Sequence, residues 1–276
     1  MRHASKPARG IHDCIGVGCN EYRLRDAVAT VAPVSVRCGI KDVAESPVLA
    51  MKEVEIARRL AVVRVRIAAA AEREGLSPLN VRILAVSKAH GSEAVRAGLA
   101  AGLTDFGENY VGEGVAKMNE LGLGARWHFI GRLQSNKTRL VAERFDWVHT
   151  VFREREVMRL NSQRPAASLP LNVCIQVRMQ DADARPALPA EEVPGLAALI
   201  SAQPRLRLRG LMGVPIPDAP RDAYLRLRSL FDELNASGLN LDTLSMGMTA
   251  DLETAVECGA TLVRVGTALF GPRPPR

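Results

Sequence analysis

Aromatic residues are scarce in this 276-residue chain, at 4%. Few stacking platforms of the kind that single-stranded nucleic acids favour are therefore present, and nucleic acid is not an expected partner. Long hydrophobic runs are missing as well. The longest charge-free stretches, Ala166–Val177 and Val193–Pro204, contain proline or polar residues and fall short of the ~20 apolar residues that a membrane-spanning helix needs. Neither sign of charge forms a block. The net charge of +7 is spread thinly, with seven basic and five acidic residues in 1–50, and it suits a mild attraction for small anions. The five cysteines (Cys14, Cys19, Cys38, Cys174 and Cys258) are an odd number in a chain without a recognisable secretory signal. That excludes a disulfide framework and points to reduced thiols in a cytoplasmic protein. His3, His12, Cys14 and Cys19 fit no zinc-ligand spacing, so no metal is expected.

Apolar residues make up 47% and charged residues 24% of the chain, the composition of a globular protein with a sizeable core. Residues 1–50 lack sustained periodicity and read as a poorly ordered or non-native extension, with Met51 as an alternative start. Asp13, Glu21, Asp26 and Asp42 make them too acidic for a transit peptide. From Met51 the register changes. Ile56, Leu60, Val63 and Ile67 recur at four-three-four spacing, which predicts an amphipathic helix over Lys52–Glu74 that Gly75 stops.

Beyond it, β-rich runs alternate with helical segments. Strands are expected at Arg82–Lys88, Thr104–Asn109, Trp127–Gly131, Trp147–Val151, Leu171–Val177, Leu208–Pro215, Thr243–Met248 and Leu262–Gly266. Helices are expected between them, among them Val111–Leu121 and Arg221–Ala236. Eight such units in this length predict a single-domain α/β fold, a (β/α)8 TIM barrel over 51–276 with an extra N-terminal helix. An open doubly wound sheet is the alternative, but Ser87-Lys88-Ala89-His90-Gly91 is not the glycine-rich turn that such sheets use.

Chemistry in such barrels lies at the C-terminal strand ends. Lys88 ends the apolar run Ile83-Leu84-Ala85-Val86-Ser87, where desolvation would lower its pKa and free the amine to attack a carbonyl. Ser245-Met246-Gly247-Met248-Thr249 and Val265-Gly266-Thr267-Ala268 close the last two strands. Both resemble the loops with which barrels cradle phosphate, although such glycines also serve ordinary tight turns.

Ala85-Val86-Ser87-Lys88, Phe106-Gly107-Glu108-Asn109-Tyr110, Trp127 through Lys137, Gly210-Leu211-Met212, Leu244 through Met248 and Val263 through Thr267 together resemble the pyridoxal phosphate homeostasis protein family. Its members are single-domain barrels similar to the N-terminal domain of alanine racemase. The resemblance runs in order across roughly Met51–Gly271. It implies that Lys88 holds pyridoxal 5′-phosphate (PLP) as an internal aldimine. It implies that Ser245, Gly266 and Thr267 bind the phosphate, with Gly247 and Met248 shaping the same loop, and that Arg264 faces the pyridine nitrogen. Asn109, Met212 and the strand Trp127-His128-Phe129-Ile130 would line the ring, His128 reading equally well as a packed, hydrogen-bonded histidine. Ala89-His90 stand where the family carries a threonine and a proline-rich turn, Gly112 where glutamine is common, and Thr249 where serine is usual. Asp181–Pro189 lacks the usual Lys-x-Gly element.

The function so implied is a cytoplasmic, monomeric protein of intracellular PLP homeostasis, without substantial catalysis and with PLP-dependent apo-enzymes as possible acceptors. A PLP-dependent amino-acid racemase is the alternative, and a Schiff-base aldolase-type barrel without PLP is a third reading. A racemase needs a base on each face of the substrate carbon. In two-domain relatives a tyrosine of a C-terminal domain supplies the second, whereas this sequence stops soon after Gly271 and holds only Tyr22, Tyr110 and Tyr224.

Overall fold

The structure is a computed structural model, and it describes residues 47–122, 124–180, 184–215 and 220–272. The expectations for residues 1–46, including Cys14, Cys19, Cys38 and their histidine neighbours, lie outside the described residues, as does the start of the Asp181–Pro189 segment. Cys174 and Cys258 are free and buried, and burial pushes the Cys174 thiol up to about 12.

Eight parallel strands close in sequence order: β1 (Arg82–Val86), β2 (Asp105–Glu108), β3 (Arg126–Phe129), β4 (Trp147–Val151), β5 (Leu171–Gln176), β6 (Leu206–Met212), β7 (Thr243–Ser245) and β8 (Leu262–Val265). The helices are α1 (Pro47–Arg73), α2 (Ser92–Ala100), α3 (Val111–Leu121), α4 (Thr138–Arg144), α5 (Glu154–Gln163), α6 (Val193–Ser201), α7 (Pro220–Ala236), α8 (Leu252–Glu257) and α9 (Thr267–Phe270). The short α9 supplies the eighth strand-to-helix unit, which sequence periodicity cannot register in one turn. At the mouth β4 ends where expected and the other seven strands end one to three residues earlier, where the ladder gives way to loops. Lys88, Asn109, Gly131 and Gly266 therefore sit in those loops.

The expected stripe of α1 is where its periodicity puts it. Ile56, Leu60, Val63 and Ile67 are buried, while Met51, Val54, Val62 and Val65 face outward. The helix begins at Pro47 rather than Lys52, so a boundary after residue 50 falls inside its first turn. Leu49 already packs against the core. Arg66 forks onto Glu253 at 2.6 and 2.8 Å, and Arg73 bonds Glu257, joining α1 to α8. Among the described residues, no helix is long and apolar enough to cross a membrane.

Side chains alternate across each strand. The outward set (Ala85, Phe106, Trp127, Phe129, Val148, Val173, Leu211, Leu244, Val263) joins the helices in one continuous apolar layer. The inward set is different. Trp147, Cys174 and Met212 form a small cluster of their own inside the barrel, and most of the remaining bore is polar.

Candidate functional site

The bore is crossed by one connected chain of hydrogen bonds. Arg264 on β8 donates from Nη1 to the Ser245 carbonyl at 2.7 Å and to Ser245 Oγ at 3.0 Å, and from Nη2 to the Gly213 carbonyl at 2.9 Å. Ser245 Oγ lies 3.0 Å from His149 Nδ1, His149 Nε2 lies 2.9 Å from His128 Nδ1, and His128 Nε2 lies 2.9 Å from Asp105 Oδ1. Arg126 closes the far end with 3.0 and 2.8 Å bonds to the two Asp105 oxygens.

Proton positions follow by elimination. Burial opposes ionisation of Asp105, but hydrogen bonds from His128 and Arg126 hold its carboxyl well below its usual value. As a carboxylate it accepts only, so His128 Nε2 carries a hydrogen. Burial lowers the pKa of His128 despite Asp105, and lowers that of His149 further with the help of His128 and Arg264. Both rings are neutral. His128 Nδ1 is then an acceptor, His149 Nε2 donates to it, and Ser245 Oγ–H donates to His149 Nδ1. Every bond points from the guanidinium toward the carboxylate, an arrangement in which each bond polarises the next. His128 also stacks on Trp147 at 5.1 Å between ring centres.

At the mouth, Lys88 occupies the turn after β1 and is half-buried. That turn is closed by the His90 N–H on the Ser87 carbonyl at 3.0 Å, with Ala89 at φ +63°. A positive φ at the third turn position is the pattern of type II turns, which normally use glycine there; an alanine costs roughly 1–2 kcal/mol. Strand β8 is hydrogen-bonded to β1 with Arg264 opposite Leu84, and a side chain on Gly266 would come 3.3 Å from the Val86 carbonyl. The loop bearing Gly266 and Thr267 is thus the direct neighbour of the loop bearing Lys88. Asn109 stands at the end of β2, its Oδ1 buried without a hydrogen-bond partner among the described residues. It lines a groove of about 420 Å³ with Gly131, Arg132 and Lys137. Ile130 directly follows β3, its Cδ1 facing Gly107.

The loop after β7 is tethered from outside. Asp251 accepts from the Met248 N–H at 2.6 Å and from the Tyr224 hydroxyl at 2.7 Å, and Arg66 bonds the Thr249 carbonyl at 2.9 Å. Gly247 has φ +86°, and a Cβ there would lie 2.4 Å from that of Ala255, so this bend excludes any other residue.

The expected residues therefore divide. Ser245 and Arg264 touch, and His128 reaches them through His149. Met212 packs beside Trp147, and Lys88 and Gly266 flank one seam. Met248 and Thr267 are exposed in the loops after β7 and β8. Trp127 and Phe129 belong to the outer layer, leaving His128 and Ile130 as the inward members of their strand. Sequence reasoning did not single out Asp105 or the cluster Glu108, Glu113 and Lys117 behind the Lys88 turn. A charged residue inside the short strand Asp105–Glu108, and a Glu–Lys pair four apart on the following helix, were the available signals.

The fold and this mouth define a class, the barrel of racemase type. Residues 60–274 match the family model for the alanine racemase N-terminal domain. Alanine racemase from Corynebacterium glutamicum superposes with a TM-score of 0.62 at 15% identity, over 80% of this chain and 62% of that one, a likeness of fold alone. The structure of PipY from Synechococcus elongatus PCC7942, solved with PLP bound, superposes with a TM-score of 0.67 at 34% identity, covering 78% of this chain and all of the other. The pyridoxal phosphate homeostasis protein of Pseudomonas aeruginosa is 51% identical over 223 residues, 79% of this chain and 96% of the relative. That of Escherichia coli K12 is 48% identical over 230 residues, 79% of this chain and 97% of the relative. The chain belongs to the pyridoxal phosphate homeostasis protein family.

Proposed function

We propose that this chain binds PLP at the barrel mouth and serves in maintaining the cofactor pool, holding and yielding PLP to apo-enzymes rather than turning over a substrate of its own. The observation that carries this reading is the seam between β1 and β8. It sets the half-buried Lys88, in the turn that leaves β1, beside the hydrogen-bonded neighbour strand β8 with its buried Arg264.

The residues present fit the cofactor. Arg264 is a buried cation held by two carbonyls and a hydroxyl, with no carboxylate in salt-bridge contact among the described residues. A buried charge in that state favours an electron-rich partner. Asn109 Oδ1 adds an acceptor awaiting a donor, and the loops of Gly247 and Gly266 leave backbone close to the mouth. Bound there, PLP would supply an aldehyde that condenses with the Lys88 amine with loss of water. Arg264 would face the ring nitrogen without protonating it, since a guanidinium keeps its proton, and so would leave the ring a weak electron sink. The Tyr224 hydroxyl is committed to Asp251, and Tyr110 stands exposed at the start of α3. Both facts favour storage and exchange over racemisation.

The test is borohydride reduction of protein incubated with PLP, followed by peptide mass analysis. The label is expected on Lys88 and is expected to vanish in Lys88→Ala; a reducible adduct surviving in that variant would overturn the assignment. Chiral chromatography after incubation with L-alanine checks the other half, and Lys88-dependent turnover above ~1 per second, ordinary for enzymes, would move the assignment to a racemase.

A further inference from the structure

Behind the Lys88 turn lies a cluster that the bore chemistry does not use. Glu108 is the last residue of β2 and points away from the bore, toward α3. It is fully buried, and its Oε1 accepts from Ser87 Oγ at 2.6 Å and from Lys117 Nζ at 2.7 Å. Lys117 Nζ also donates to the Ser87 carbonyl at 2.8 Å and to Glu113 Oε1 at 2.8 Å. Glu113 Oε1 in turn accepts from the Ala89 N–H at 2.5 Å. Three polar atoms of the turn, the Ser87 hydroxyl, the Ser87 carbonyl and the Ala89 N–H, are each taken by a different member of the cluster. They belong to the residues immediately before and after Lys88.

Two features mark this as more than packing. Burying the Glu108 carboxyl and the Lys117 ammonium is expensive even when they are closely bonded, and apolar side chains would fill the space between β2 and α3 at lower cost. The cluster also bonds the N–H of Ala89, the one described non-glycine residue with positive φ, and such a conformation persists only where its surroundings over-determine it.

We infer that Glu108, Glu113 and Lys117 are positioning residues that clamp the Ser87–Ala89 turn and so aim the Lys88 amine into the barrel mouth. The inference rests on the reading of Lys88 as the PLP-binding lysine. The clamp works through the backbone. With Glu113 removed, the Ala89 N–H loses its acceptor, and the turn relaxes toward an unstrained φ. Lys88 then samples directions away from the mouth. Misplacing a reacting group by about 1 Å costs up to 10²-fold in rate.

The experiment compares covalent capture with non-covalent binding in the full chain. Capture is the rate at which borohydride-trappable PLP accumulates on Lys88. Non-covalent affinity is read with pyridoxine 5′-phosphate, which has the ring and phosphate but no aldehyde. Glu113→Ala is expected to slow capture roughly tenfold or more and to leave pyridoxine 5′-phosphate affinity within about threefold. Glu113→Gln keeps an acceptor for the Ala89 N–H and is expected to restore capture to within about threefold of wild type. Lys117→Met, at the buried centre of the clamp, should match or exceed Glu113→Ala. Should Lys117→Met fail to fold, the partly exposed Glu113 site carries the test alone. Capture unchanged in Glu113→Ala, or a parallel loss of capture and pyridoxine 5′-phosphate binding, would overturn the clamp. A trappable adduct retained by Lys88→Ala would instead overturn the underlying assignment of Lys88.

Discussion

The barrel has two interiors built by opposite rules. Outside the sheet, the layer between strands and helices is apolar and continuous, with Phe106, Phe129, Leu171, Ile175 and Leu244 fully buried. Inside it, the bore holds a cation, a hydroxyl, two neutral imidazoles and a carboxylate in series, with Arg82 bonded to Thr243 and stacked over Trp147 below them. Ordinary barrels fill this space with branched aliphatic side chains. The outer layer draws its stability from area, which is non-directional and tolerant of exchange. The bore draws it from directed bonds, each of which depends on the next. Stability and site geometry are thereby assigned to separate faces of the same strands.

The largest effect should come from the outer layer. Phe106→Ala is expected to cost about 3–5 kcal/mol of stability, as for other fully buried phenylalanines, read by denaturant unfolding. PLP capture per folded molecule should stay near wild type; loss of capture would show that the two interiors are not independent.

Acid should act on the bore. Because His128 and His149 are held neutral by burial, the unfolded chain takes up protons below about pH 6.5 that the folded chain refuses. Stability is then fullest above that pH and falls as pH drops below it, by up to ~1.4 kcal/mol per unit for each histidine. His149→Phe removes one of the two titrating groups, so its slope below pH 6.5 should be about half that of the wild type. It should also cost roughly 2–3 kcal/mol at neutral pH, since Ser245 Oγ and His128 Nδ1 lose their partner. Equal slopes in the two proteins would mean that the rings are charged in the fold.

The smallest effect is at the mouth. Ala89→Gly removes a side chain from a positive-φ position and is expected to stabilise the fold by about 1 kcal/mol, seen as a modest rise in Tm. A drop would mean that the Ala89 side chain contributes packing that outweighs the strain.

Much of the barrel was legible because its signals are local. The apolar runs Ile83–Val86 and Leu262–Val265, the stripe Ile56-Leu60-Val63-Ile67 and the glycines after β7 and β8 each follow from neighbours within a few residues. The element ends were less legible. Where Lys88, Asn109 and Gly266 leave the ladder depends on the neighbouring strands they pair with, and Leu49 in the first turn of α1 packs against a core made by residues far along the chain.

What the amino-acid sequence determined by itself was the alternation of strands and helices, the closed barrel it implies, and the residue types at the strand ends, Lys88 and Arg264 above all. These rest on backbone periodicity and steric limits that each segment carries alone. What only the tertiary structure decided was which polar residues meet. Asp105, His128, His149, Ser245 and Arg264 come from five different strands, and Glu108, Glu113 and Lys117 converge on Ser87 and Ala89 from a strand and a helix. Neutral imidazoles, a one-way chain of donors and a strained turn are properties of those meetings. They arise from closing the sheet, which removes water from the bore and leaves each polar group only the partners that the other strands bring to it.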